Sequence, residues 1–239
     1  MDAIHLLPFI STAITFVFAA AVLNRFRVGH TLHSLLWGLG LVWYGLGTLA
    51  EAYLALWWSP LVLRLWYLSG AMLTAAWLGQ GTVYLLIRKP GVAHALAAGL
   101  MLVSVVAAIA VFTAPLTGAD FVPGIPISTQ YKSLLTRSSL MVLTTILLNI
   151  YGTLALVGGA LWSAWLFWRK RALLHRMTGN IVIAAGAMFP AAAGTLIRLG
   201  LGDWLYVSEL IGAALMFAGF YLATRPQPVV QRAPAAARA

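Results

Sequence analysis

The chain has no cysteine among its 239 residues, which removes disulfides, thiolate metal sites and a cysteine nucleophile together. Charge is almost as scarce. Only 8% of the residues are charged and five are acidic, whereas a water-soluble domain carries roughly a quarter of its residues as charges. A soluble globular core is excluded on that ground. Lysine is limited to Lys89, Lys132 and Lys170, all at helix ends or in loops. The last helix therefore lacks the buried lysine that a retinal Schiff base needs. The histidines offer no facing pair for a haem, and His30 and His33 have no carboxylate on their side to complete a metal set. No metal and no cofactor are expected. No Ser-His-Asp set, phosphate loop or zincin motif is present either, so nothing argues for an enzyme.

Apolar length is what the sequence has in quantity. Hydrophobic residues make up 62% of the chain and the mean hydropathy is +0.93. Successive runs are long enough to cross a hydrocarbon layer of about 30 Å. The fold class expected is all-α: a polytopic membrane protein built as a seven-transmembrane-helix bundle. The helices are expected at about Ile4–Leu23, Thr31–Leu54, Leu61–Ile87, Val92–Phe112, Ser138–Trp168, Gly179–Leu199 and Trp204–Ala223. They form one domain over 1–224, and a flexible, basic, Pro/Ala-rich tail follows over 225–239. The amino terminus has no basic n-region before its first apolar run, which reads as a retained helix. Pro190 falls inside the sixth helix. The long loop Thr113–Arg137 contains Pro115, Pro123, Pro126, Gly118 and Gly124, and no regular element is assigned to it.

The charges that exist are sorted by side. Arg25 and Arg27, Arg88 and Lys89, then Arg169, Lys170, Arg171 and Arg176 occupy one set of helix ends, and Arg225, Arg232 and Arg238 join them from the tail. All five acidic residues, Asp2, Glu51, Asp120, Asp203 and Glu209, fall on the other side. Basic residues stay in the cytoplasm during insertion, so the amino terminus is expected outside and the carboxyl terminus inside a bacterial-type inner membrane. The net charge of +10 follows this sorting. It points to anionic lipid headgroups at the cytoplasmic face, with no nucleic-acid partner.

Small residues form stripes at helical spacing, including Gly40, Tyr44, Gly47 and Glu51 on the second helix and Ala187, Ala191, Gly194 and Arg198 on the sixth. Close helix packing accounts for the glycines. It does not account for stripes that end in opposite charges. Glu51, Arg64, Arg198 and Glu209 lie at comparable outer depths and are expected to form a charged cluster, because a charge in the apolar zone is costly unless paired or hydrated. The cluster is either a structural ion-pair lock or the mouth of a ligand site. Tyr44, Tyr67, Trp77, Gln80, Asn149, Tyr151 and Tyr206 are the residues available to line such a site, with Asn149 and Gln80 at different depths. The leading function is binding, and translocation, of a small polar or amphiphilic solute. The alternative is a non-transporting sensor or accessory subunit, partnered by a second copy or another membrane protein.

Overall fold

The computed structural model describes residues 6–171, 173–198 and 204–225, and of residues 193–198 the backbone alone. The long helices are α1 (Leu7–Gly29), α2 (Leu32–Leu54), α3 (Pro60–Leu86), α4 (Val92–Thr113), α6 (Ser139–Arg169), α7 (Leu174–Arg198) and α8 (Trp204–Thr224). A short helix, α5 (Ile127–Leu134), lies between α4 and α6. Six of these, α1, α2, α3, α4, α6 and α8, are long and apolar enough to cross a membrane. The chain is thus a helical, multi-pass membrane protein. The sixth expected span coincides with α7, which is not among those six; its last side chains, Leu199 and the tail beyond Arg225 lie outside the described residues.

Local signals set the helix ends. Pro60 opens α3 at a position that needs no N–H, and the Ser59 hydroxyl accepts from Val62 N at 3.4 Å. Ser138 caps α6 in the same way, accepting from Met141 N at 3.2 Å. α1 runs six residues past the expected Leu23, through Asn24, Arg25 and Arg27. It stops at His30, which adopts φ 47° and donates its N–H to the Phe26 carbonyl at 2.7 Å. The arginines end the apolar span; the left-handed residue ends the helix.

The long helices close into a ring. α1 packs on α2, α2 on α3, α3 on α6, α6 on α7, α7 on α8, and α8 returns to α1. α4 stands outside this ring against α3, and its Leu102 and Ile109 remain exposed on a face suited to lipid. Glycines permit the tightest crossings. A Cβ on Gly47 of α2 would come within 2.8 Å of the Gly70 Cα of α3, and one on Gly152 of α6 within 2.2 Å of the Ala75 carbonyl carbon of α3. The obstacles are backbone, so the helices themselves would have to part.

Two features differ from the sequence expectation. First, both α3 and α6 widen into π-helical stretches, over Tyr67–Leu73 and Leu154–Gly158. The Ser69 carbonyl in the first stretch takes a bond from Thr74 Oγ1 at 2.8 Å, and the Ala71 carbonyl takes one from Asn149 Nδ2 at 2.7 Å. Such bulges are rare and recur at functional sites. Second, the loop between α4 and α6 is folded onto the bundle. Thr117 N donates to the Leu134 carbonyl at 3.1 Å and Thr136 N to the Pro115 carbonyl at 3.0 Å. Gln130 ties down Val122 and Ile125. Ile127, Tyr131 and Leu134 repeat at helical spacing and turn one face of α5 inward.

Candidate functional site

Within the ring lies a cavity of about 1030 Å³, beneath the α4–α6 loop and reaching between α6 and α7 to the exposed Ile150, Leu154 and Met188. Each wall has its own chemistry. α2 contributes Tyr44, Thr48 and Glu51, α3 contributes Trp66 and Tyr67, and α8 contributes Glu209. α6 supplies Thr145 and Asn149, α7 supplies Pro190 and Ala191, and the loop brings Tyr131, Lys132 and Arg137. Acidic, basic and aromatic groups therefore face one space.

The carboxyl groups are the most demanding of these. Glu51 is 1% exposed. Its Oε1 accepts from the indole N–H of Trp66 at 2.8 Å, while its Oε2 has no partner other than the neighbouring Glu209 carboxyl among the described residues. Glu209 approaches from α8 closely enough for the two carboxyl groups to share a hydrogen bond, and its Oε2 is likewise sealed, with no partner outside the pair among the described residues. The Tyr44 hydroxyl fastens α2 to α8 beside the pair, donating to the Glu209 main-chain carbonyl at 2.8 Å. A carboxylate out of water costs several kcal/mol, and two side by side add their repulsion. The arrangement calls for a counter-charge, met by a proton shared between the two carboxyl groups or by a cation beside them.

Aromatic rings cover this acidic corner. Tyr131 lies 5.3 Å from Trp66 and 5.6 Å from Tyr67, centroid to centroid. Arg137 stacks its guanidinium over Tyr131 at 5.0 Å. The Tyr67 hydroxyl meets Thr145 Oγ1 at 3.1 Å, which holds its ring against the cavity wall.

The residues singled out from sequence divide into three groups. Glu51, Glu209, Tyr44, Tyr67 and Asn149 come together around the cavity. Arg64, Trp77, Gln80, Tyr151 and Tyr206 are not among its walls. Arg64 donates from Nη2 to the Ala114 carbonyl at 2.8 Å, capping the end of α4. Trp77 donates to Ser104 Oγ of α4 at 3.2 Å. Gln80 donates to the Ala93 carbonyl at 2.9 Å and accepts from the Tyr151 hydroxyl. Tyr206 is buried in the packed interior. The third group is Arg198, whose side chain lies outside the described residues, as do Asp2 and Asp203. Sequence reasoning missed Trp66, Lys132 and Arg137. The last two sit on a loop given no structure, although the Ile127–Tyr131–Leu134 spacing was there to be read.

Smaller spaces follow it along the ring, each sharing wall residues with the next. One of about 80 Å³ shares Tyr44, Asn149 and Pro190 with the large cavity. The next, of about 60 Å³, shares Leu78, Leu156 and Met216 with its neighbour. It in turn shares Trp37, Asn180 and Phe220 with a second large cavity, of about 500 Å³, at the opposite end. Leu78, Leu156 and Met216 are all buried and form an apolar waist between two vestibules. Among the described residues no three of His, Cys, Asp or Glu come together as a metal set. Comparison of the chain with protein-family models, with curated proteins and with solved structures finds no match.

Proposed function

We propose that the protein binds a small amphiphilic solute carrying a cationic group, and carries it across the membrane along the axis of the ring. The observation that carries this reading is the pair of adjoining buried carboxyl groups, Glu51 and Glu209, whose Oε2 atoms have no partner outside the pair among the described residues, in the wall of a large cavity. An ammonium group that reaches the pair supplies its counter-charge and donates hydrogen bonds that no other described side chain supplies. The faces of Trp66 and Tyr67 favour the same kind of group. Lys132 and Arg137, in the same cavity, suit a second, anionic end, so a zwitterion meets complementary charge at both ends. A volume of about 1030 Å³ is at the upper end of the range for small-molecule sites, roughly 300–1000 Å³.

The membrane frame belongs to the same proposal. α7 joins the six apolar helices as a seventh span, and the basic end of the bundle faces the cytoplasm. The acidic cavity then opens outward from a bacterial-type inner membrane. The waist at Leu78, Leu156 and Met216 closes the route to the inner vestibule. The π-helical stretches of α3 and α6 border the cavity, a placement common for such bulges at functional sites.

The test is a thermal-shift screen of the purified protein against amines, amino acids and other zwitterions, followed by uptake of any hit into proteoliposomes. A ligand that stabilises the native protein raises its apparent melting temperature by mass action. The expected hit contains an ammonium group, and its effect disappears in Glu51→Gln and Glu209→Gln. Stabilisation by neutral solutes alone, or hits indifferent to both substitutions, overturns the site. Binding without uptake leaves the site and removes translocation, which is the behaviour of a sensor or accessory subunit.

A further inference from the structure

The vestibule at the basic end is a separate site of opposite character. Its walls include Arg25 at the end of α1, Arg88 just beyond α3, Lys170 just beyond α6 and Arg176 in the first turn of α7. His33 and Asn180 face the same space, of about 500 Å³, and no described carboxylate lines it. The described acidic residues are Glu51, Asp120 and Glu209, and these belong to the opposite end of the bundle. None of the four cations is therefore balanced by a described carboxylate within its own vestibule.

Membrane insertion explains why basic residues gather at this end. It does not explain why four of them, from three separate stretches of sequence, surround one hollow. Like charges so arranged repel each other. Together they also raise the local concentration of anions, and a concave wall of low dielectric strengthens that field. Two guanidinium groups supply the planar forks that grip phosphate oxygens in pairs, and Lys170 adds a point charge. Asn180 provides a neutral donor.

We infer that this vestibule is a binding site for a phosphate-bearing anion, independent of the acidic site at the far end. The chemistry is the same whether the phosphate belongs to an anionic lipid headgroup or to a free soluble anion, and the test separates the two.

The full-length protein is purified in a neutral detergent and its melting temperature is followed in two titrations. One uses inorganic phosphate and pyrophosphate against potassium chloride of equal ionic strength. The other uses mixed micelles in which phosphatidylglycerol replaces phosphatidylcholine. Arg88→Gln and Arg176→Gln are compared with Arg27→Gln, which removes one charge from the same end but outside the cavity walls. The inference predicts stabilisation by a phosphate-bearing probe, an apparent affinity about 10-fold weaker in each cavity variant, and an unchanged affinity in Arg27→Gln. Stabilisation by phosphate or pyrophosphate identifies a soluble anion; stabilisation by phosphatidylglycerol alone identifies a headgroup. No effect of any probe overturns the site. An equal loss in all three variants overturns it too, since a diffuse surface field then suffices. Glu51→Gln leaves this titration unchanged if the two sites are independent, so failure of one reading does not carry the other with it.

Discussion

The same change, glycine to alanine, should have opposite signs at two positions in this bundle. At Gly152 of α6 the added Cβ would lie 2.2 Å from the carbonyl carbon, 2.3 Å from the oxygen of Ala75 and 2.5 Å from Ala76 N. All three obstacles are backbone atoms of α3, so no side chain can swing aside. α3 and α6 must separate along the seam where Gly79 meets Gly152. Overpacking of this kind costs about 1–3 kcal/mol. At Gly99 of α4, nothing lies within 4 Å of the equivalent Cβ. There the substitution only restricts the unfolded backbone and favours helix, a gain of about 0.5–1 kcal/mol. Each kcal/mol shifts the melting temperature of a chain this size by roughly 2–4 °C. Gly152→Ala should therefore melt several degrees below the parent, and Gly99→Ala level with it or slightly above. The assay is thermal unfolding in one detergent at one heating rate, because membrane-protein melts report kinetic as well as equilibrium stability. Equal shifts for the two variants would refute the reasoning, since the α3–α6 contact would then set nothing.

Further outcomes follow from the hydrogen bonds. Trp66→Phe keeps the ring but removes the donor to Glu51 Oε1; it should lower stability by about 1–3 kcal/mol and alter the amine response, and an unchanged melt with an unchanged response would contradict the geometry. Arg64→Met should lower the melting temperature by losing the cap on Ala114, yet leave the ligand response intact; a lost response would return Arg64 to the acidic site. Asn149→Leu strips the donor from the Ala71 carbonyl in the π-helical stretch and should cost about 1–3 kcal/mol, read by thermal unfolding. Met216→Ala opens the waist and should raise passive leak of solute through proteoliposomes, measured as flux without a gradient of any second ion.

What the sequence made legible was hydropathy, and hydropathy reports where a membrane would begin and end. That is why α3, expected at Leu61–Ile87, is found at Pro60–Leu86, and why α1 outruns its apolar stretch to His30. The number of spanning helices stayed harder to read, because α7 mixes an apolar middle with His175, Arg176 and Asn180 near its start. For the site, burial of Glu51 and Glu209 could be argued from depth alone. Their partners could not. Arg64 sits at the same depth but on a face turned toward the α4 terminus, and a cost argument for burying charge is satisfied as well by a main-chain carbonyl as by a carboxylate. The π-helical stretches leave no sequence signature as clear as a proline kink. Gly70, Thr74 and Asn149 mark one of them only once the bonds from Thr74 and Asn149 are seen.

The central claim is that water and solute enter the ring from the acidic end, and the cysteine-free sequence allows it to be tested with one introduced thiol. Val142 lines the large cavity, whereas Leu102 projects from the outer face of α4, 66% exposed in the isolated chain and facing hydrocarbon in the membrane. In sealed, right-side-out vesicles, Val142→Cys should react with a membrane-impermeant maleimide added outside, and Leu102→Cys should not, because a thiol in hydrocarbon does not ionise. Labelling of Val142→Cys only after the vesicles are opened, or no labelling at all, would contradict the account.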